Sequence, residues 1–380
     1  MHQGGGAVSR SSIYMALAVA TSGIAAISSA RADERADMPI HSHHVQRIAV
    51  FGKDNRTAVP EQLGKLRNSI GLLASNTGEA ACTAFCVASN AIATAAHCLR
   101  PPDTGTRRSK RLVSAVRFVL QDDPRGSGTR LAGARSGRAE RYIAFGTSNT
   151  NGRELLDASQ DWAIARLEQP SCAGRILNIA ATDARETTQL LARDRIFQAA
   201  FHRDFGNWRL AYTSTCREVG APSRAETKSI TRDFAAPEQI VLHQCDTGAA
   251  SSGSPLFALI GGLPSVVAIN VGTYVQTRVM MRGGDVVHRF KAREIANTAV
   301  AASAFRIYVD TVARASIVDG EAELDELQRL LNVEPEGSRL KVTGYSAKLR
   351  YAVHRFQVER GLPAHGLPTK SVLDLLRRSK

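Results

Sequence analysis

From about residue 48 to residue 276 the chain alternates short apolar runs with polar stretches rich in Gly, Asn, Asp and Ser. Short apolar runs bounded by turn residues are typical of β-strands, and many of them in succession favour a barrel or a sandwich. The clearest runs cover residues 69–73, 112–120, 162–167, 239–243 and 265–271. The pattern therefore predicts an all-β domain for this part of the chain.

The pattern changes after about residue 290. Residues 292–312 are rich in alanine, and we expect a helix there that closes the first domain. Beyond residue 323, apolar side chains recur with the spacing of one face of a helix. They form three sets: Leu324, Leu327, Leu330 and Leu331; Leu349, Ala352, Val353 and Phe356; and Val372, Leu373 and Leu376 after a predicted N-cap, Thr369. Three short helices predict a compact bundle, with a domain boundary near residue 318.

The N-terminus has the features of a secretory signal peptide. Arg10 precedes an apolar run at residues 13–27, and Ala30 and Ala32 give the small-x-small cleavage pattern. We therefore expect residues 1–32 to be a signal peptide, with an uncleaved anchor as the alternative.

Residues 33–47 follow as a polar leader or pro-segment. The leader holds three histidines, which we interpret as part of a polar segment, with metal binding as the alternative: His41, His43 and His44. An even number of cysteines in an exported chain predicts disulfides and not reduced thiols. The six are Cys82, Cys86, Cys98, Cys172, Cys216 and Cys245.

Composition excludes two classes of protein. At 380 residues the chain is long enough for more than one domain, and its 43% apolar and 22% charged residues argue against disorder throughout. No run of about 18 purely apolar residues occurs after the N-terminus, which excludes a polytopic membrane protein. We expect no stable membrane insertion once the signal peptide is removed.

Charge is the unusual property of this chain. Lysine and arginine number 49 against 35 acidic residues, which gives +14, and cleavage after Ala32 removes Arg10 and Arg31 to leave +12. Such a balance suits an anionic partner such as nucleic acid, a membrane surface or an acidic wall polymer. Two arginine-rich segments, residues 101–111 and 121–138, hold much of the excess, and we interpret them as solvated loops. No nucleic-acid partner is expected.

Two segments point to nucleophilic catalysis. Residues 93–98 read Ala-Thr-Ala-Ala-His-Cys, and residues 245–256 read Cys-Asp-Thr-Gly-Ala-Ala-Ser-Ser-Gly-Ser-Pro-Leu. A serine hydroxyl is a weak nucleophile near neutral pH and needs a base, best supplied by imidazole, to accept its proton. Small residues around a serine let a carbonyl approach and let backbone N–H groups face the developing oxyanion. The two segments together therefore predict acyl transfer.

These segments and their order resemble the trypsin-like serine proteases, whose double β-barrel carries a His, Asp, Ser triad in that chain order. The resemblance covers about residues 48–312 and is most specific to the bacterial branch that includes the glutamyl endopeptidases. That branch often has a Cys-Asp-Thr-x-x-Gly-x-Ser-Gly-Ser-Pro string and an Asp-Asp-Arg-like segment, here Asp54-Asn55-Arg56. The resemblance implies that His97 is the general base and Ser252 the nucleophile.

The same resemblance points to the triad acid. Residues 161–167, Asp-Trp-Ala-Ile-Ala-Arg-Leu, look like the family's Asp-x-Ala-x-x-x-Leu strand, so we assign the acid to Asp161. Asp157 and Asp183 are the rival candidates, and neither starts an alternating apolar strand.

The oxyanion hole implied by the resemblance consists of the backbone N–H groups of Ala250 and Ser252. Ala250 departs from the family, which has glycine there, and a positive φ would cost alanine about 1 kcal/mol or more. Ser251 stands where the animal enzymes have an aspartate that pairs with a freed N-terminus, and no Ile-Val-Gly-Gly start is present. Activation by that salt bridge is therefore not expected.

Substrate preference is less readable from the sequence. Asp246 lies where trypsin places the carboxylate that binds Lys or Arg, and we assign it, together with Asn270, to the specificity pocket. Asn270 stands where glutamyl endopeptidases carry a histidine, which argues against a preference for glutamate.

The cysteines fit the resemblance. It implies a Cys82–Cys98 bridge beside the catalytic histidine and a Cys216–Cys245 bridge at the nucleophile loop, which leaves Cys86 with Cys172. The alternative is a zinc site made of Cys82, Cys86, His97 and Cys98. We expect disulfides, no metal and no cofactor.

The C-terminal helices have a resemblance of their own. Residues 352–366 carry Ala-Val-x-x-Phe-Gln-x-x-x-Gly-Leu-Pro-x-x-Gly, which resembles the peptidoglycan-binding module of bacterial wall hydrolases over about residues 323–378. The loop between the first two helices lacks the family's usual Gly-x-x-x-Asp-Gly. In this interpretation Leu349 and Phe356 face the bundle interior, while Tyr345 and Gln357 face a groove for wall peptides.

The sequence therefore predicts a mainly β protein with a double β-barrel, trypsin-like protease domain at residues 48–318. A small three-helix, peptidoglycan-binding-like domain follows at residues 319–380. The expected function is an exported serine endopeptidase that acts on proteins or peptides and is tethered to the cell wall, in a periplasm or outside the cell. The alternative is a wall-binding homologue whose barrel has little or no catalytic activity.

Overall fold

The computed structural model of the protein describes residues 49–75, 81–100, 115–123, 126–147, 157–206, 208–216, 230–282, 285–333 and 345–379. The predicted signal peptide, the leader and the loop at residues 101–111 lie outside the described residues. No helix in the described part of the chain is both long enough and apolar enough to cross a membrane.

Strands dominate the first two thirds of the described chain. They are β1 (Arg56–Ala58), β2 (Ile70–Ser75), β3 (Ala81–Ala88), β4 (Ala91–Thr94), β5 (Val116–Leu120), β6 (Thr129–Arg130), β7 (Ile143–Phe145), β8 (Ala163–Arg166), β9 (Asn178–Ile179), β10 (Ile196–Phe201), β11 (Leu210–Thr213), β12 (Ile240–His243), β13 (Pro255–Ile260), β14 (Leu263–Arg282) and β15 (Asp285–Ala301). The helices are α1 (Gly64–Arg67), α2 (Ala96–Leu99), α3 (Ala184–Leu191), α4 (Ser303–Arg306), α5 (Val309–Arg314), α6 (Glu321–Leu330), α7 (Ala347–Glu359) and α8 (Lys370–Arg378).

The first sheet is antiparallel and curled, with the strand order β6-β5-β2-β3-β4-β8-β7. A bridge between Leu131 and Leu167 brings the β6 end of the sheet back to β8. Along β5 the buried side chains alternate with half-buried ones, as expected for a strand with one face on the core. In β4 every residue is buried, because the sheet core covers one face and α5 packs on the other.

The second sheet has the order β1-β11-β10-β13-β14-β15-β12, with β9 pairing parallel to β14 and all other pairs antiparallel. The inner strand β10 and the terminal strand β12 are both buried at every position. Two curled antiparallel sheets followed by helices confirm the predicted fold class, a mainly β, trypsin-like double barrel with a helical C-terminus.

The helix expected at residues 292–312 is wrong in its first half. Residues up to Ala301 belong to β15, and only α4 and α5 are helical. Ala296, Ala299 and Ala301 are fully buried, and Ala299 pairs with Val241 on one side and with Asn270 on the other. Alanine is abundant here because these side chains pack in the buried clusters of the second sheet, and abundance alone carries no helical period.

The three helices predicted at the C-terminus are present as α6, α7 and α8. The hydroxyl of Thr369 accepts the N–H of Val372 at 3.3 Å, which confirms this residue as the N-cap of α8. Leu349 and Phe356 are buried in the bundle core, as expected. Tyr345 and Gln357 are buried as well, and Gln357 Oε1 accepts the Gly366 N–H at 2.9 Å, so neither faces an open groove.

The helical bundle is joined to the first sheet by buried polar contacts. Arg350 of α7 is only 2% exposed and donates to the carbonyls of Ile143, at 2.8 Å, and Glu140. Arg141 donates to the carbonyl of Asp319 at 2.8 Å, and Ile317 forms a bridge with Thr369. The bond from Arg350 to Ile143 connects the bundle directly to strand β7.

All three predicted disulfides are present. Cys82 pairs with Cys98, Cys86 with Cys172, and Cys216 with Cys245. The first fixes β3 to the turn that follows β4, and the last fixes the segment after β11 to the loop that precedes β13.

Candidate active site

His97 and Asp161 are brought together by the pairing of β4 with β8. His97 lies in α2, the single helical turn after β4, and Asp161 lies two residues before β8. Because β4 and β8 pair from Ala91–Arg166 to Thr94–Ala163, these two ends of the strands meet. His97 Nδ1 is 2.6 Å from Asp161 Oδ2, and the His97 backbone N–H donates to Asp161 Oδ1 at 2.9 Å. The carboxylate therefore orients both the imidazole ring and its helical turn.

The two rival aspartates have other roles. Asp157 accepts the Ser159 N–H and the Ala235 N–H, both at 2.9 Å, and so caps the short turn that leads to Asp161. Asp183 caps α3 in a capping box with Glu186. The structure places Asp161, and neither of its rivals, against the imidazole.

Packing behind Asp161 fixes its position further. The next residue, Trp162, is buried, and its indole stacks on Tyr308 with ring centroids 5.2 Å apart. The Trp162 carbonyl accepts the Gly146 N–H at 2.9 Å, which continues the pairing of β8 with β7. A large rigid ring beside a buried aspartate restricts the backbone on which the carboxylate depends.

Ser252 lies on the loop that enters β13, on the second sheet. Its carbonyl accepts the Thr83 N–H at 2.9 Å, and Cys98 Sγ lies 3.8 Å from the same oxygen. Since Cys98 follows His97, this contact sets the serine beside the histidine turn. In the part of the chain that the structure describes, Ser252 Oγ makes no direct hydrogen bond to His97 Nε2. Such contacts are often longer before substrate binds and tighten in the complex.

The backbone around Ala250 has the conformation that glycine favours. Ala250 has φ of 83°, and its carbonyl accepts the Thr83 hydroxyl at 2.8 Å. The Ala249 carbonyl accepts the Arg203 N–H at 2.8 Å. Among the described residues the N–H groups of Ala250 and Ser252 donate to no acceptor of the protein. These are the two donors that the resemblance to trypsin-like proteases assigns to an oxyanion hole.

The two residues assigned to the specificity pocket are buried and bonded internally. Asp246 is 1% exposed, and its two oxygens accept the N–H groups of Phe51 and Asn55, each at 2.9 Å. Asn270 is 2% exposed; it accepts a hydrogen bond from His243 Nε2 at 3.1 Å and donates to the Ser251 carbonyl at 3.1 Å. This geometry does not support the assignment of either side chain to an open pocket.

The sequence did not single out Thr83, which joins the two sheets at the site. It is fully buried, its N–H and hydroxyl donate to Ser252 and Ala250, and its hydroxyl accepts the Phe201 N–H at 3.0 Å. The one signal in the sequence was its position next to Cys82. A threonine in a strand does not by itself indicate a residue that joins two sheets.

Charged and titratable groups lie on the far side of the serine loop. Arg56 donates to Asp54 and to Asp204, and these hydrogen bonds hold the pKa of each carboxyl below its usual value. Burial lowers the pKa of His202 to about 3, with the Arg56 charge acting in the same direction, and burial lowers the pKa of His243 to about 3. Both histidines are therefore neutral near pH 7.

The zinc site considered from the sequence is contradicted by the disulfides. Cys82, His97 and Cys98 do place potential ligand atoms within 4.8 Å of one another. Both sulfur atoms belong to one disulfide, however, and Cys86 is bonded to Cys172, so these cysteines offer no thiolate to a metal.

Comparison with known families agrees with this arrangement. Residues 82–269 match the family model described as "Trypsin-like peptidase domain". The chain contains a trypsin-like peptidase domain. The match begins at Cys82 and ends at Ile269, so it contains His97, Asp161 and Ser252 and stops before the C-terminal helices.

Solved structures with a similar trace are also peptidases. A Glu endopeptidase in complex with MPD has 14% identity and a TM-score of 0.43, and covers 69% of this chain and 98% of its own. The thermostable serine protease AL20 from an extremophilic microorganism has 16% identity and a TM-score of 0.37, and covers 65% of this chain and 98% of its own. A search among curated proteins found no match.

Proposed function

We propose that the protein is a serine endopeptidase that acts through His97, Asp161 and Ser252. The observation that carries this proposal is the Asp161–His97 pair at 2.6 Å, on the sheet that faces the serine loop within a trypsin-like peptidase domain. A buried carboxylate on the far nitrogen of an imidazole leaves the near nitrogen as a proton acceptor.

Each group has a defined part in this proposal. His97 Nε2 takes the proton of Ser252 Oγ as the oxygen bonds to the substrate carbonyl carbon. Asp161 accepts the Nδ1–H and stabilises the imidazolium, while the N–H groups of Ala250 and Ser252 donate to the oxyanion. His97 then gives the proton to the leaving amine, and a water molecule hydrolyses the acyl-enzyme by the same route.

The alternative is a homologue without turnover, and Ala250 is the observation that favours it. A fluorophosphonate probe separates the two, because it labels only an activated serine. We expect the wild type to be labelled at Ser252 and the Ser252→Ala variant to remain unlabelled. A folded wild type, with its three disulfides verified by mass mapping, that takes no label would establish the non-catalytic alternative.

We also propose that the chain is exported and that residues 1–32 are removed as a signal peptide. Six cysteines in three disulfides support this, since disulfides persist in oxidising compartments. N-terminal sequencing of the protein recovered from a secreting host tests it, with Asp33 as the expected first residue. Recovery of the uncleaved chain in the membrane fraction would favour the anchor instead.

Wall binding by the C-terminal helices is the remaining part of the proposal, and an exposed face of α7 supports it. Tyr351 and Val358 are 50% and 58% exposed, and their i, i+7 spacing places them on one side of the helix with Arg355 between them. An aromatic ring, an apolar side chain and a cation suit a glycan with acidic peptides.

Sedimentation with purified peptidoglycan sacculi tests wall binding. We expect the wild type to sediment at about 0.5 M NaCl, where nonspecific charge contacts are screened. The double variant Tyr351→Ser, Val358→Ser should stay in solution. Ile307→Ser is the matched control, since Ile307 is 57% exposed but lies outside the bundle. If both variants sediment like the wild type, this face of α7 is not the binding surface.

A further inference from the structure

The loop that carries Ser252 is held by residues far away in the sequence. Residues 245–252 form this nucleophile loop. The partners that fix it, other than its own turn, come from several parts of the fold: Cys216, Asn297, Phe51, Asn55, Ala49, Arg203, Thr83 and Asn270. Three of them lie in one short segment at the start of the described chain, residues 49–56, which we call the N-terminal strap.

The strap contacts the loop mainly through its backbone. Ala49 and Thr247 exchange two backbone hydrogen bonds, at 3.1 and 2.9 Å. The N–H groups of Phe51 and Asn55 then converge on the two oxygens of Asp246. A carboxylate that accepts two backbone N–H bonds is a strong acceptor, and burial makes each bond costly to lose. One buried side chain thus holds a strap that is almost two hundred residues away in the sequence.

The end of the strap reaches the loop a second time. Arg56 donates to Asp204 at 2.8 Å, and Asp204 lies against Gly248 of the loop. A β-carbon on Gly248 would collide with Asp204 Oδ1 and would lie 2.8 Å from Arg56 Nη1. The absence of a side chain at Gly248 therefore lets this ion pair pack directly on the backbone that leads to Ser252.

We propose that the N-terminal strap positions the nucleophile loop by docking on Asp246, so that Asp246 is a positioning residue for turnover and does not read the substrate side chain. The proposal rests on the peptidase function proposed above. It also explains how the loop is ordered although Ser251 cannot pair with a freed N-terminus. Because the donors are backbone N–H groups within the chain, no new α-amino group is needed, and residues upstream of Ala49 do not have to be removed.

Kinetics across substrates distinguish a positioning role from a specificity role. We expect Asp246→Asn, which replaces one acceptor oxygen by a donor, to lower kcat by about tenfold or more. The factor should be the same for peptide substrates with arginine, glutamine or alanine before the scissile bond, and the ratio of their KM values should not change. Asp122→Asn is the control, since Asp122 forms an exposed ion pair with Arg175 on the first sheet, and it should retain wild-type kinetics.

The opposite pattern would overturn the proposal. If Asp246→Asn loses activity only on the arginine substrate and turns over the neutral substrates like the wild type, Asp246 reads the substrate cation. Full activity on all substrates would show that the strap does not position the loop.

Three N-terminal forms test the strap without a substitution in the loop. Forms that begin at Asp33 and at Ile48 should have kcat values within about twofold of each other, whereas a form that begins at Lys53 lacks two of the donor residues and should lose about tenfold or more. An Asp33 form that gains activity only on removal of the leader would contradict the proposal. So would a fully active Lys53 form.

Hydrogen exchange separates this proposal from the proposed function. The amides of Phe51 and Asn55 should be protected in the wild type and should exchange faster in Asp246→Asn, as should the peptide that carries Ser252. This readout needs no activity, so a wild type that the fluorophosphonate does not label would refute the peptidase function and leave the strap testable. Unprotected amides at Phe51 and Asn55 in the wild type would refute the strap.

Discussion

The histidine side and the serine side of the site are assembled in different ways. His97 and Asp161 come from neighbouring strands of one sheet, and a single β-pairing brings their side chains into contact. Ser252 comes from a loop whose hydrogen-bond partners lie in other strands and in the N-terminal strap. The first arrangement follows from one sheet, whereas the second requires both sheets and a distant segment to be in place.

The histidine side is also supported by a residue that is distant in the sequence, through contacts with strand β7. The ring of Phe145 in β7 contacts two guanidinium groups, with its centroid 4.1 Å from that of Arg100 and 5.0 Å from that of Arg350. Arg100 follows the helical turn of His97, and Arg350 comes from the C-terminal bundle. Burial, with the nearby charge of Arg350 as a smaller cause, lowers the pKa of Arg100 to about 9. The bundle is thus packed onto the strand that borders the Asp161 segment.

This difference predicts how each side fails. Loss of a strap contact should release the serine loop and leave the His97–Asp161 pair formed, because that pair depends on the pairing of β4 with β8 in the first sheet. Loss of a bundle contact should weaken the first sheet, because the buried Arg350 guanidinium satisfies the carbonyl of Ile143 in β7 and that of Glu140 in the turn before β7. Loss of a supporting contact should therefore lower kcat when the contact lies on the serine side, and should lower the free energy of unfolding when it lies on the histidine side.

The largest expected effect is that of the triad itself. Replacing His97, Asp161 or Ser252 by alanine should lower kcat by about 10⁴-fold or more, with little further loss when the substitutions are combined. Asp183→Ala is a matched control, because it removes a helix cap and should cost about 1 kcal/mol of stability with no change in kcat. Near-normal turnover by Asp161→Ala would show that the acid is assigned to the wrong residue.

The next effect concerns the bundle. Arg350→Ala should lower the free energy of unfolding by about 3 kcal/mol, because two carbonyls lose a charged donor and the rings of Phe145 and Tyr345 lose a cation. Arg355→Ala is the control on the same helix, where the side chain is 65% exposed and pairs with Glu359, so it should change stability by less than about 0.5 kcal/mol.

Denaturant unfolding of the two variants measures the difference. Equal effects would show that the buried contact contributes no more than a surface pair. Active-site labelling under native conditions should remain near wild type in Arg350→Ala, which contrasts with the loss expected for Asp246→Asn.

Local pattern explains why the histidine side was predictable. The strand at residues 162–167 is one continuous segment of sequence, and so is the segment that ends at Cys98. The resemblance to trypsin-like proteases placed Asp161 directly before this strand. The helices of the bundle were also predictable, since Leu349 and Phe356 recur at helical spacing and Thr369 is a good cap. Both predictions rest on patterns that a short window of sequence contains, although the contacts that result join distant residues, 64 positions apart for His97 and Asp161.

The serine side was predictable only in part. The string around Ser252 indicated a nucleophile and a strained Ala250, but Asp246 looked like a specificity residue because its position in the string resembled trypsin. Its partners, Phe51 and Asn55, carry no side-chain signal, since the bonds come from backbone N–H groups. The alanine-rich stretch at residues 292–312 was predicted as a helix for a related reason. Burial within the second sheet selects small side chains as readily as a helix does.

A fall in pH should destabilise the serine side of the site more than the histidine side. His202 and His243 lie on the second sheet, and each has a pKa of about 3 in the folded protein against about 6.5 when unfolded. Between these values the unfolded chain binds more protons, so stability is lost as the pH falls from about 6.5 towards 3. Each histidine contributes a slope of up to about 1.4 kcal/mol per pH unit.

A pH series of unfolding curves tests this assignment. His243→Gln, which keeps a hydrogen-bonding side chain without a titrating group, should reduce the slope between pH 6 and 4, whereas the exposed-pair variant Asp122→Asn should not. The prediction fails if the slope in this range is unchanged in His243→Gln.

The smallest expected effect concerns Ala250, and it decides how far the oxyanion loop limits the enzyme. At φ of 83° a β-carbon is strained by about 1 kcal/mol or more, whereas glycine gains entropy in the unfolded chain worth about 0.5–1 kcal/mol and gives up one buried methyl group. These terms nearly cancel, so Ala250→Gly should change stability by less than about 1 kcal/mol. The neighbouring Ala249→Gly has no positive φ to relieve and should destabilise by about 0.5–1 kcal/mol. Relief of strain at a donor that faces the oxyanion should raise kcat by a few fold without changing KM, measured on the same peptide substrates. A gain of several orders of magnitude would instead show that alanine had nearly abolished turnover, which is the behaviour of the non-catalytic alternative.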